Sequence, residues 1–84
     1  MVKVLYFARL REALGTAGEE MALPASVSTL EGLRAVLSAR GGAWSEELAA
    51  NRRIRAAVNQ IMADEQTAIA DGDEIAFFPP VTGG

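Results

Sequence analysis

The chain contains no cysteine and no histidine. That removes disulfide staples, thiolate chemistry, Cys/His zinc sites and every nucleophile activated by an imidazole. Lysine occurs once, at Lys3, and proline three times, twice in succession at Pro79 and Pro80. Positive charge is also scarce: 8 basic against 11 acidic residues leave a net charge of −3. A phosphate-backbone binder needs a positive footprint, so nucleic acid is not an expected partner. The small cluster of Arg52, Arg53 and Arg55 reads as a solvated strand entry rather than an anion site. Long apolar runs are missing as well. The two longest uncharged stretches, residues 21–30 and 75–84, are about half of what a bilayer-spanning helix requires. The apolar start at residues 2–8 is cut by Arg9, Arg11 and Glu12 before it could act as a secretory signal, so no membrane role and a cytoplasmic location are expected.

What remains is a composition of 50% apolar and 23% charged residues over 84 positions, enough for one small folded domain. Residues 2–8 read as a strand rich in β-formers, with Val2, Val4 and Tyr6 on one face and Lys3, Leu5 and Phe7 on the other. Residues 9–14 can close a helical turn stopped by Gly15, and residues 19–23 offer a second strand ended by Pro24. The clearest helix starts at Ser28, where Ser28 and Glu31 fit a capping box ahead of the stripe Leu30, Leu33, Val36 and Leu37. Gly41 and Gly42 end it. Residues 44–48 suggest a short further helix, residues 54–62 a third strand, and Ala68-Ile69 with residues 74–78 the last ones around an Asp71-Gly72-Asp73 turn. One main helix on one face of a mixed four- or five-stranded sheet, an α+β domain, is the economical arrangement. Gly15 and Gly18 lack the lysine of a phosphate loop, and Asp71, Asp73 and Glu74 lack calcium-loop spacing, so both are read as turns and no metal site is expected.

The final residues carry the chemistry. From Ile75 onward no side chain is charged, and the chain closes Phe77-Phe78-Pro79-Pro80-Val81-Thr82-Gly83-Gly84. Two prolines end the ladder near Phe78 and stiffen the exit, which divides the chain into a domain over 1–78 and a tail over 79–84. Six extended residues reach roughly 20 Å, enough to thread Pro79, Pro80, Val81, Thr82 and Gly83 into another protein. Two terminal glycines pass a narrow channel without a side-chain clash. A carboxylate at Gly84 is a poor electrophile; joined to AMP it becomes one, and a sulfur nucleophile would convert it to a thiocarboxylate able to deliver sulfur.

Residues 71–84, together with residues 3–8, the pair Arg11-Glu12 and residues 57–60, resemble the small-subunit family of molybdopterin synthase, ubiquitin-like sulfur carriers that end in Gly-Gly. The resemblance spans the chain and is weakest over residues 41–53. It implies a β-grasp fold and a subunit that is not an enzyme on its own. It also implies that Gly84 is adenylated by a ubiquitin-activating-like adenylyltransferase at the expense of ATP, with no cofactor bound by the carrier. The thiocarboxylate then supplies a dithiolene sulfur to cyclic pyranopterin monophosphate inside the large subunit, in a 2+2 heterotetramer.

Strand parity gives the docking face. If the helix covers Val4, Tyr6, Ile75 and Phe77, then Leu5, Phe7 and Phe78 lie on the opposite face, with Met62 joining them and Arg11 at the rim. Competing readings are the sulfur carrier of thiamine thiazole synthesis, a protein modifier conjugated through Gly84, and a plain docking module.

Overall fold

The last strand of the chain lies in the middle of the sheet. In the computed structural model, which describes residues 1–80, five strands run in the order β2-β1-β5-β3-β4. Strand β1 spans Val2–Tyr6, β2 Gly18–Met21, β3 Arg55–Val58, β4 Ile61–Ala63 and β5 Glu74–Phe78. The central pair β1 and β5 is parallel, with Val4 opposite Ile75 and Tyr6 opposite Phe77. The outer pairs are antiparallel. Helices α1 (Ala8–Leu14), α2 (Leu30–Ser38) and α3 (Ala43–Leu48) complete the chain order. This is the expected α+β, β-grasp arrangement, with the first and last strands side by side and a helix crossing between the two hairpins.

Alternation sorts the strands into faces. Val2, Val4, Tyr6, Ala56, Ile75 and Phe77 are buried and meet Leu10 of α1, Leu30, Leu33 and Leu37 of α2 and Leu48 of α3 in one core. Each Leu in such a core is held by about 1.5–3 kcal/mol of transfer free energy. Gly18 starts β2 because a side chain there would collide with the sheet: a Cβ would sit 2.8 Å from the Val4 carbonyl oxygen. Gly15 stops α1 at φ 71°, as a left-handed cap, its N–H bonded to the Arg11 carbonyl.

Four expectations need correction. The strand expected over 54–62 is a hairpin broken at Asn59 and Gln60, both at positive φ (51° and 69°), the dihedral pattern of a tight two-residue turn. Neither residue is glycine. Asn59 offsets the strain by receiving the Glu74 N–H on its Oδ1 at 3.0 Å and donating to Asp73 at 3.1 Å, which ties the turn to the start of β5. Ala68-Ile69 is not a sheet strand; it forms a single bridge, Thr29 with Ala68. The helix cap is shifted by one residue: Thr29, not Ser28, accepts from the Gly32 N–H at 3.3 Å, so the Ser28–Glu31 box does not form. The first N–H groups of α2 are satisfied instead by carbonyls of the 65–67 segment, Leu30 to Thr67 and Glu31 to Glu65, both at 3.0 Å. Helix α2 also ends at Ser38, ahead of the glycine pair.

Candidate functional site: the root of the tail and its surroundings

Because β5 is central and parallel to β1, both strands finish at the same end of the sheet, and the tail leaves there. Phe78 closes β5 opposite Arg55. Pro79 and Pro80 follow, half-buried and outside any strand, since proline offers no N–H to continue the ladder. Val81, Thr82, Gly83 and Gly84 lie outside the described residues.

The face away from the helices carries a row of cross-strand partners: Leu5 on β1, Ala76 on β5, Ala57 on β3 and Met62 on β4. Two alanines at the centre make the floor shallow. Phe7, extended at φ −119°, continues the parity of Leu5 and is 45% exposed; Met62 is 54% exposed; Leu5 and Phe78 are half-buried. Ala8 then turns the chain into α1 at φ 53°, a left-handed conformation that a residue with a Cβ rarely adopts. The strand residues Leu5, Phe7, Phe78 and Met62 therefore share one side of the sheet. Arg11 is outside that row, exposed on α1.

On the helix side of the tail root lies a groove of about 390 Å³ lined by Arg9, Glu47, Asn51, Arg52, Arg53, Ile54, Pro79 and Pro80. Glu47, whose side chain is only 12% exposed, accepts from Arg9 at 3.3 Å and lies 3.7 Å from Arg52. One carboxylate thus serves two guanidiniums, and Arg53 has no ion-pair partner among the described residues. Sequence reading took Arg52 and Arg53 as a solvated strand entry and missed Arg9 and Glu47 beside them.

The groove wall is held by a buried cation that the sequence reading also missed. Arg34, 8% exposed, donates Nε to the Leu48 carbonyl at 2.9 Å and Nη2 to the carbonyls of Ala49 and, at 2.7 Å, Arg52. Its Nη1 reaches Glu65 at 3.4 Å. The signal was present in the helical spacing, because position 34 is four after Leu30 and three before Leu37 and so falls on the apolar arc.

Across the core, Arg40 grips Glu19 with two bonds of 2.8 Å, and the Tyr6 hydroxyl donates to the same carboxylate at 3.0 Å. The Arg40 hydrogen bonds hold the Glu19 carboxyl below its usual range against the opposing effect of burial. Burial first, and Glu19 second, push the Tyr6 phenol well above its ordinary value. Arg40 lies 4.5 Å over the Trp44 ring, which meets Tyr6 edge-on at 5.3 Å. This cluster clamps β1, β2 and the chain flanking α2 and α3; its groups are committed to one another, which marks it as structural. Among the described residues no His/Cys/Asp/Glu group is arranged to hold a metal, and no helix is long and apolar enough to cross a membrane.

A β-grasp sheet whose central strand runs straight into a proline-stiffened exit beside an apolar face defines a ubiquitin-like carrier domain. The chain belongs to the ThiS family, whose model matches residues 4–84. It is 45% identical over 84 residues to the molybdopterin synthase sulfur carrier subunit of Escherichia coli, covering 100% of both chains. Among solved structures it is similar to a putative molybdopterin converting factor subunit 1 of Pyrococcus furiosus, at a TM-score of 0.77, 32% identity and 95% and 97% coverage. It also matches a chain of the complex of subunits 1 and 2 of molybdopterin-converting factor from Helicobacter pylori, at a TM-score of 0.67 and 27% identity, covering 99% and 97%.

Proposed function

We propose that this chain is the sulfur-carrier subunit of molybdopterin synthase, a domain over 1–78 that works through the tail over 79–84. The observation that carries the reading is the direct passage of the central strand β5 into Pro79 and Pro80 at the rim of the Leu5–Phe7–Phe78–Met62 face. A tail rooted in the middle of a sheet has a fixed origin and direction, so a partner that docks on that face receives it in one register. The full-length similarity to the E. coli carrier subunit supports the same conclusion.

In this reading the Gly84 carboxylate attacks the α-phosphorus of ATP on a separate adenylyltransferase and pyrophosphate leaves. A sulfur nucleophile then displaces AMP and leaves a thiocarboxylate. The large subunit takes Val81, Thr82, Gly83 and Gly84 into its active site, where the thiocarboxylate sulfur bonds to cyclic pyranopterin monophosphate and water then cleaves the acyl–sulfur bond, leaving the sulfur on the pterin and Gly84 as a carboxylate. Two carriers, one on each large subunit of a 2+2 heterotetramer, supply the two dithiolene sulfurs. Acid–base work and substrate binding fall to the large subunit, and the chain is not an enzyme by itself. Phe7, Phe78, Met62 and Leu5 form the docking face, with Arg11 at its rim, and the cytoplasm is the site of action.

Mass spectrometry after incubation with the adenylyltransferase, ATP and a sulfur source tests the proposal. The expected result is exchange of one terminal oxygen for sulfur, lost on deletion of Gly84 while the melting temperature is retained. Isopeptide adducts on lysines of other proteins would instead make the chain a modifier, and an unchanged mass would make it a docking module.

A further inference from the structure

We infer that the arginine groove at the root of the tail is an electrostatic landing site for a carboxylate-rich rim on the large subunit. The inference rests on the function proposed above. Arg9, Arg52 and Arg53 line one groove with a single carboxylate, Glu47, so three positive charges face one negative. Glu47 is already shared between Arg9 and Arg52, and among the described residues no second acid lines the groove. This local excess sits on a chain whose net charge is −3, so it runs against the overall balance. Clustered guanidiniums repel one another in the free domain, and the opposite charge that would relieve them is supplied on docking.

Position selects the occupant. Pro79 and Pro80 line the same groove, so a protein that takes the tail into a channel brings the mouth of that channel against these arginines. The surrounding surface is half-buried or exposed, where charges at a rim govern the rate of encounter more than the lifetime of the complex. Acidic residues around the mouth would therefore steer the tail to its entrance before the apolar face closes. Two of the three are anchored: Glu47 pairs with Arg9 and Arg52 from one point, and Arg34 bonds the Arg52 backbone carbonyl.

The test is stopped-flow association of the full chain with the large subunit, comparing the parent, Arg52→Gln/Arg53→Gln and, as a charge control, Lys3→Gln. Lys3 is exposed near the opposite end of β1, flanked in register by Glu20 and Glu74. The arginine variant is expected to associate about tenfold more slowly at low salt, and to match the parent at about 0.5 M salt, where screening reaches within a few ångströms. Lys3→Gln should associate within about twofold of the parent, and all three should share a melting temperature within a few degrees. Equal association rates for parent and arginine variant at low salt would overturn the landing site alone. An equal slowing by Lys3→Gln would also overturn it, because net charge and not the groove would then be responsible. A parent chain that does not bind the large subunit would overturn both this inference and the function on which it rests.

Discussion

Arg34 is the point at which removal of one side chain should reach both stability and site. The residue is 8% exposed, and its guanidinium serves the carbonyls of Leu48, Ala49 and Arg52. Hydrogen bonds from a charged donor contribute about 1.5–3 kcal/mol each, so three sum to roughly 5–9 kcal/mol gross. Arg34→Met keeps the aliphatic stem in the core and removes the desolvation cost of the cation, while water can reach the end of α3 to satisfy part of the loss. A net destabilisation of about 3 kcal/mol is expected. An 84-residue domain has about 4–13 kcal/mol in total at 0.05–0.15 kcal/mol per residue, so the loss is large. Urea titration should show the midpoint falling without a change in slope, and amide exchange should accelerate first over residues 49–53. Arg34→Lys should recover less than half, because one ammonium cannot span carbonyls that a planar fork reaches together. A shift within about 0.5 kcal/mol for Arg34→Met would refute the reasoning, since that is the range of an ordinary surface change.

The Glu19 carboxyl is held low in the folded state by Arg40, so its contribution is present above the unfolded value of about 4.3 and is lost as pH falls through the lower folded value. Parent and Glu19→Gln should therefore differ in urea midpoint at neutral pH, and the gap should begin to close once pH falls below the unfolded value and vanish below the lower folded one; a gap that persists in strong acid would reject the ion pair as its source. Phe7 leaves 45% of its surface open, about 90 Å² of a roughly 200 Å² side chain, which is about 2 kcal/mol on complete burial. Phe7→Ala should raise the Kd for the large subunit about 30-fold, and Phe78→Ala about 10-fold because it is already half-buried. Calorimetric titration on variants shown to be folded would detect either, and a change below about threefold would remove these residues from the interface.

Much of this architecture was legible because it is local or periodic. The alternation of Val2, Val4 and Tyr6, the stripe of Leu30, Leu33 and Leu37, and the apolar run ending in Pro79 and Pro80 each declare an element within a few residues. The Asn59-Gln60 turn was hidden because the glycine that usually marks positive φ is absent; a distant partner, the start of β5, supplies the support instead. Adjacent Ser28 and Thr29 are both competent caps, and the choice between them is made by carbonyls of residues 65 and 67, more than thirty positions away. The arginine groove is likewise a product of long-range contacts. Arg9 and Glu47 meet only after the sheet and three helices have assembled, so a run that looks solvated in sequence becomes a wall beside the tail.

The parallel pairing of β5 with β1 has a mechanical consequence. Drawing the tail out of a partner pulls along β5, which is bonded to β1 on one flank and to β3 on the other. Those bonds lie across the line of force, so they resist together in shear instead of opening one at a time like a zip. A domain wired in this way can be tugged free after each delivery and return for reloading with its hydrophobic interior undisturbed.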